Sequence, residues 1–354
     1  MLKKRKVILA LSIIPQYIIV KTLANFPDFI EEYYSLGLYQ FTSKALRFTF
    51  GWIPFSIGDI LYTIASIYII RWLFLNRKRI YKETISWCID VVSTLSLVYL
   101  AFHLFWGMNY YRLPLHQSLK LDNKYTTEEL VFVTEKLIEK SNKVHLSITN
   151  NDTIKVEMPY TKKELFAMTA NGYKSLSQKF PSLNYSPKSI KQSIYSLPLT
   201  YMGFSGYLNP FTNEAQVDGL IPLHKFPTTA CHEEAHQIGY AAENETNFIG
   251  CLAAIHNEDI YFKYSGYIFA LRHCLNEIYR RDQNTYESLL PKINVGIKRN
   301  YQESYEFWQS YQNPLEPLFK KTYGNFLKAN NQDKGIESYS YAVALLVNYF
   351  EDNL

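Results

Sequence analysis

Three nearly uninterrupted apolar runs fall within the first 107 of 354 residues: Val7 to Ala24, Trp52 to Ile70 and Ile85 to Trp106. A bilayer core about 30 Å thick is crossed by roughly 20 apolar helical residues, and in lipid the backbone must satisfy its own hydrogen bonds. The runs therefore predict three transmembrane helices, about 7–24, 52–70 and 85–106. The first has the basic start of a secretory signal (Lys3, Lys4, Arg5, Lys6), but Lys21 follows its apolar middle and no small-x-small cleavage pattern appears. It reads as an anchor. Asp59 and Asp90 lie within the second and third runs. The reading is a bundle contact for Asp59, deep in its run, and a snorkelling carboxylate for Asp90, near the end of its own.

Basic residues flanking short loops mark the cytoplasmic side. The N-terminus carries four, and the loop between the second and third runs carries Arg71, Arg77, Lys78, Arg79 and Lys82. Both belong inside. The Asn25–Gly51 loop holds Asp28, Glu31 and Glu32 against Lys44 and Arg47, with many tyrosines and phenylalanines, as suits an amphipathic segment on the outer surface. Three crossings from an inside N-terminus place everything after Gly107 outside.

The rest of the chain reads as an ordinary water-soluble domain. With 47% hydrophobic residues, 19% charged and four cysteines overall, the protein is neither disordered nor framed by disulfides. The net charge of +5 does not argue for nucleic acid, because the basic residues cluster beside the apolar runs, where topology accounts for them. Residues 108–124 read as a linker interrupted by Leu113-Pro114-Leu115, and 125–354 as one domain. Thr126-x-x-Glu129 and Thr161-x-x-Glu164 are capping boxes that open two helices. Ser189 to Pro222, broken by glycines and prolines, predicts short strands and turns, and from Pro227 the pattern is helical almost to the end. The expected fold is mainly α, with a small sheet in an α+β second domain.

The chemical signal is His232-Glu233-Glu234-Ala235-His236, an H-E-x-x-H pattern with Pro227-Thr228-Thr229 as its helix start. Residues four apart share a helix face, so both imidazoles can converge on one tetrahedral metal, while Glu233 flanks them within reach of a water that zinc acidifies. Gly239 can end the helix and reverse the chain into Glu243-Asn244-Glu245-Thr246-Asn247. Glu243 is the expected third ligand, with Asn247 one turn further on as its orienting neighbour, and Glu245 is the competitor. His224, His256 and His273 read as structural, and Cys88, Cys231, Cys251 and Cys274, without C-x-x-C spacing, as small buried apolar groups.

His232, Glu233, His236 and the Glu243-x-x-x-Asn247 pair resemble the gluzincin zinc metallopeptidases. The whole chain is similar to the bacterial membrane proteins grouped as domain of unknown function 3810. The likeness includes three N-terminal helices, Trp106-Gly107-Met108-Asn109-Tyr110-Tyr111-Arg112, Asn209-Pro210-Phe211-Thr212-Asn213-Glu214-Ala215 and the His232–Phe248 block. It implies a zincin-like peptidase domain, a Zn2+ cofactor, a peptide or protein substrate, and a bacterial inner membrane with the C-terminal domain in the periplasm. Tyr339 resembles a position recurrent in that family and is the candidate for stabilising the oxyanion. The spacing departs from many gluzincins, because Glu243 follows His236 by only seven residues; at the place where metzincins carry a third histidine this chain has Ala242. Gly203 to Pro222 is the candidate strand for holding substrate backbone. The competing expectation is a membrane-tethered interaction or scaffold protein that keeps the fold without turnover. Neither substrate identity nor oligomeric state is encoded in a motif.

Overall fold

The structure, a computed structural model, describes the backbone of residues 2–332 and 339–353 and the side chains of all of these except 2, 3, 339, 340 and 352. The chain is mainly helical, with one small three-stranded sheet.

Helices α1 (Leu2–Leu11) and α2 (Ile13–Leu23) together give the apolar stretch Lys4–Leu23. A π-helical turn, Ile30–Leu38, leads into α3 (Tyr39–Phe50), and α4 (Ile57–Asn76) and α5 (Thr84–Phe105) follow. The Lys4–Leu23 stretch, α4 and α5 are each long and apolar enough to cross a membrane. On α4, Ile64, Ile67 and Phe74 are each about 60% exposed, an apolar face that no protein covers.

The second apolar helix begins and ends later than the hydropathy of 52–70 suggests. Pro54 and the turns around it hold 51–55 out of the helix, and Ser56 caps α4 by accepting from the Asp59 amide at 2.9 Å. Arg71 does not stop it. Asp59 accordingly sits in the first helical turn rather than deep in the span, where a carboxylate suits the positive end of the helix. It is fully buried and accepts from Ser193 Oγ (2.9 Å), the Ile194 amide (2.8 Å) and the Tyr207 hydroxyl, so it fastens α4 to the sheet. Asp90 pairs with Lys6 (2.6 Å) and Arg79 (3.0 Å) near the start of α5.

Both capping boxes form, opening α6 (Thr127–Thr149) and α7 (Lys162–Lys179). The Ser189–Pro222 segment contains strands β1 (Ile190–Gln192), β2 (Gly206–Asn209) and β3 (Glu214–Val217), but also a helix, Ser196–Met202. Pro198, which reads as a breaker, lies in that helix's first turn, where a proline displaces no hydrogen bond, and Gly203 closes it at φ +79°. β3 is central, parallel to β1 and antiparallel to β2, so β2 is an edge strand.

Helices α8 (Phe226–Gln237), α9 (Glu243–Ile255), α10 (Ile260–Arg281), α11 (Val295–Ser310), α12 (Glu316–Ala329) and α13 (Tyr339–Asn353) complete the chain. Phe248, Ile249, Cys251, Leu252 and Ala253 bury α9 on nearly every side, making it the axis around which α7, α8, α10 and α13 pack. Cys231, Cys251 and Cys274 are buried as expected, whereas Cys88, also expected to be buried, is exposed on α5.

Candidate metal centre

α8 starts with Pro227 at its second position, where the missing N–H is not needed. It ends at Gly239, whose φ of +100° permits a tight closure: the Gly239 amide donates to His236 O (2.9 Å) and the Tyr240 amide to Ala235 O (3.2 Å). The reversal lays α9 along α8 at backbone distance. A Cβ on Gly250 would stand 2.7 Å from the His232 nitrogen, so only glycine allows this approach.

The result is a convergence of three side chains. His232 Nε2 lies 3.4 Å from Glu243 Oε2, and His236 Nε2 lies 3.7 Å from Glu243 Oε1. Ligands roughly 2.0–2.1 Å from a tetrahedral zinc stand about 3.3–3.4 Å from one another, and the two His–Glu243 separations are close to that value. His236 Nδ1 donates to Tyr240 O at 2.8 Å, which leaves its Nε2 lone pair facing Glu243. Asn247 lines the same cavity as His232 and helps to raise its pKa, after burial, which lowers it, and Glu243, which raises it. Glu245 is turned away: its carboxylate accepts from the Leu115 amide at 2.6 Å.

Glu233 is buried beside the imidazoles, with one ligand atom each from His232, Glu233 and His236 within 4.8 Å. Its Oε2 has no hydrogen-bond partner among the described residues, an orphaned oxygen that a water between Glu233 and a metal would satisfy. Its Oε1 occupies the space above Gly206, where a Cβ would come within 2.5 Å. Burial pushes the Glu233 carboxyl up to about 8, with His232 opposing and Glu243 reinforcing the shift. Burial would also raise Glu243, but the two imidazoles and the Tyr323 hydroxyl outweigh it and hold that carboxyl down at about 2. Burial lowers His236 to about 4, keeping its ring neutral as a ligand must be.

Three contributors have no signal in the sequence pattern. Tyr323 on α12 donates to Glu243 Oε1 at 2.6 Å, and Gly206 and Gly250 supply space. Tyr339 opens α13, and its side chain lies outside the described residues. His224 meets Ser304, and His256 meets Tyr349, both as structural partners.

The N-terminal region completes the centre. Tyr39 and Ser43 each donate to Gln237 O at 2.9 Å, Gln40 to Ile238 O at 3.1 Å, and Trp106 Nε1 to His236 O at 3.4 Å. Arg112 donates to Gly239 O at 2.8 Å, forms a two-pronged pair with Glu31 (2.9 and 2.6 Å) and stacks 4.1 Å from the Tyr240 ring centre. These side chains satisfy the free carbonyls at the end of α8. The segment 108–124, read as a linker, thus starts with buried residues packed under the candidate centre.

A cavity of about 1300 Å³ opens over the centre. The backbone of 203–208, including edge strand β2, forms one side; Phe102, Trp106, Tyr110 and Phe326 form another.

A family model described as "Protein of unknown function (DUF3810)" matches residues 34–347, taking in α3 and both helices of the centre. No curated protein and no solved structure matches the chain.

Proposed function

The chain belongs to the DUF3810 family, whose function is unknown, and we propose that it is a membrane-anchored zinc metallopeptidase that hydrolyses peptide bonds. The observation that carries this reading is the convergence of His232, His236 and Glu243 beside the unpartnered oxygen of Glu233.

His232, His236 and Glu243 would hold the ion. Zinc in that place supplies a Lewis acid that acidifies water and polarises the scissile carbonyl. The charge of a bound cation would favour the ionised form of Glu233, which takes a proton from the attacking water and delivers it to the departing amine as the carbon–nitrogen bond breaks. Asn247 and Tyr323 orient the ligands. β2 offers a free edge to which an extended substrate adds as a further strand, with Gly206 keeping the approach to Glu233 open. The scaffold reading has no use for an orphaned Glu233 oxygen.

In this reading the three apolar helices cross a bacterial inner membrane with the Arg77–Lys82 loop in the cytoplasm and the metal centre on the periplasmic side. Trp106, whose indole meets His236 O, directly follows the end of α5, so the centre lies at the membrane surface.

The test is zinc content and casein or peptide-library hydrolysis by the full chain in detergent. One zinc per chain is expected, retained without hydrolysis in Glu233→Gln and lost in Glu243→Ala. Zinc without hydrolysis in the unmodified chain would favour the scaffold, and absence of zinc from folded protein would end the metallopeptidase reading.

A further inference from the structure

Beyond the metal ligands, the same cavity runs along α8 to a basic end formed by Lys225 and Arg272. Neither forms an ion pair with a carboxylate among the described residues. Lys225 Nζ instead lies 5.5 Å from the Trp308 ring centre, and Arg272 Cζ lies 5.7 Å from that of Tyr301. Glu303, an acid on the nearby α11, is engaged by Lys155 at 3.2 Å, and Arg280, further along the wall, pairs with Glu277 at 3.2 Å. Two cations therefore share one wall without a counter-ion. Burial, and after it the neighbouring Arg272, lower Lys225 to about 8.

Position along the helix defines the reach. Lys225 precedes His232 by seven residues, about 10 Å at 1.5 Å per residue. An extended peptide covers that distance in about three residues. The other side of the cavity, at Phe102 and Phe326, is aromatic, and the remaining lysine and arginine of the lining, Lys320 and Arg280, are paired with Glu316 and Glu277.

We infer that Lys225 and Arg272 form a subsite for a carboxylate of the peptide substrate, from an acidic side chain or the C-terminus, about three residues from the scissile bond. Planar guanidinium and ammonium groups on an aromatic wall suit a carboxylate, and the pair selects among peptides rather than performing chemistry. This rests on the peptidase reading for its substrate.

The experiment uses the full chain in detergent with Glu233→Gln, loaded with zinc, and labelled eight-residue peptides. Matched pairs differ only by Glu against Gln at one position, or by a free against an amidated C-terminus. Fluorescence anisotropy is expected to show acidic peptides binding at least tenfold more tightly. That preference should fall below twofold with Lys225→Met and Arg272→Met together, or with Arg272→Gln alone, while neutral peptides bind as before and zinc content is unchanged. In the chain with Glu233 intact, the same changes should raise KM for acidic peptides and leave kcat alone. Equal binding of acidic and neutral peptides, or a preference that survives the substitutions, overturns the subsite. So does displacement of peptide by inorganic phosphate or phosphatidylglycerol micelles with equal potency, which would make it a phosphate site. Acid-selective binding without hydrolysis leaves the subsite standing and removes the peptidase; hydrolysis without acid selectivity does the reverse.

Discussion

At the scale of single residues, the centre depends as much on atoms that are missing as on those present. Gly250 has no Cβ where one would stand 2.7 Å from the His232 nitrogen and 2.8 Å from its Cα. Helix backbones cannot yield locally as a flexible side chain can, so Gly250→Ala must push α9 away from α8 and draw Glu243 from the imidazoles. Overpacking of this kind costs about 1–3 kcal/mol. The expected outcome is a lower melting temperature together with at least a tenfold loss of zinc affinity, measured by competition with a chelating dye. Unchanged zinc affinity in Gly250→Ala would show that helix spacing does not set the site.

At the scale of elements, the end of α8 is held by the segment that follows α5. Arg112 bridges Glu31, before α3, and the Gly239 carbonyl at the turn between α8 and α9. The Arg112 and Glu31 side chains are only 4% and 11% exposed. Removing one member of a buried pair strands the other's charge, at about 3–5 kcal/mol. Arg112→Ala should therefore lower stability by that order in thermal or denaturant unfolding, and Glu31→Ala by a similar amount, with the double variant less than additive. Additive losses would mean that the two do not act as a pair.

At the scale of the molecule, the membrane helices and the domain behind them form one interlocked body. Glu214 on β3 accepts from the Ile57 and Gly58 amides at the start of α4, and forms a buried pair with Lys191. Tyr39, Gln40 and Ser43 cover the last carbonyls of α8. A fragment of residues 109–354 keeps the Glu214–Lys191 pair but loses Ile57 and Gly58 at Glu214 and Tyr39, Gln40 and Ser43 at α8, and bares the apolar surfaces beneath them. It is expected to aggregate or to unfold without a cooperative transition in calorimetry, whereas the full chain in detergent melts cooperatively. A soluble, cooperatively folding fragment would show that the two parts are separable.

The local patterns were legible because they need only neighbouring residues. Apolar runs located three long helices, Thr126-x-x-Glu129 and Thr161-x-x-Glu164 capped two more, and the His232–His236 spacing placed both rings on one face. Hydropathy misjudged α4 because it counts Trp52 and Ile53 as apolar without weighing the Ser56 cap, and it put Asp59 too deep for the same reason. Tyr323, Gly206 and Gly250 left no local trace, since their roles depend on which helix or strand packs where. What the sequence determined by itself was helix length, polarity and the pairing of two imidazoles, all consequences of periodicity along one segment. The approach of α9, the packing of Tyr39, Gln40, Ser43, Trp106 and Arg112 on the end of α8 and the basic end of the cavity were decided only by tertiary structure, because each arises from contact between segments far apart in the chain.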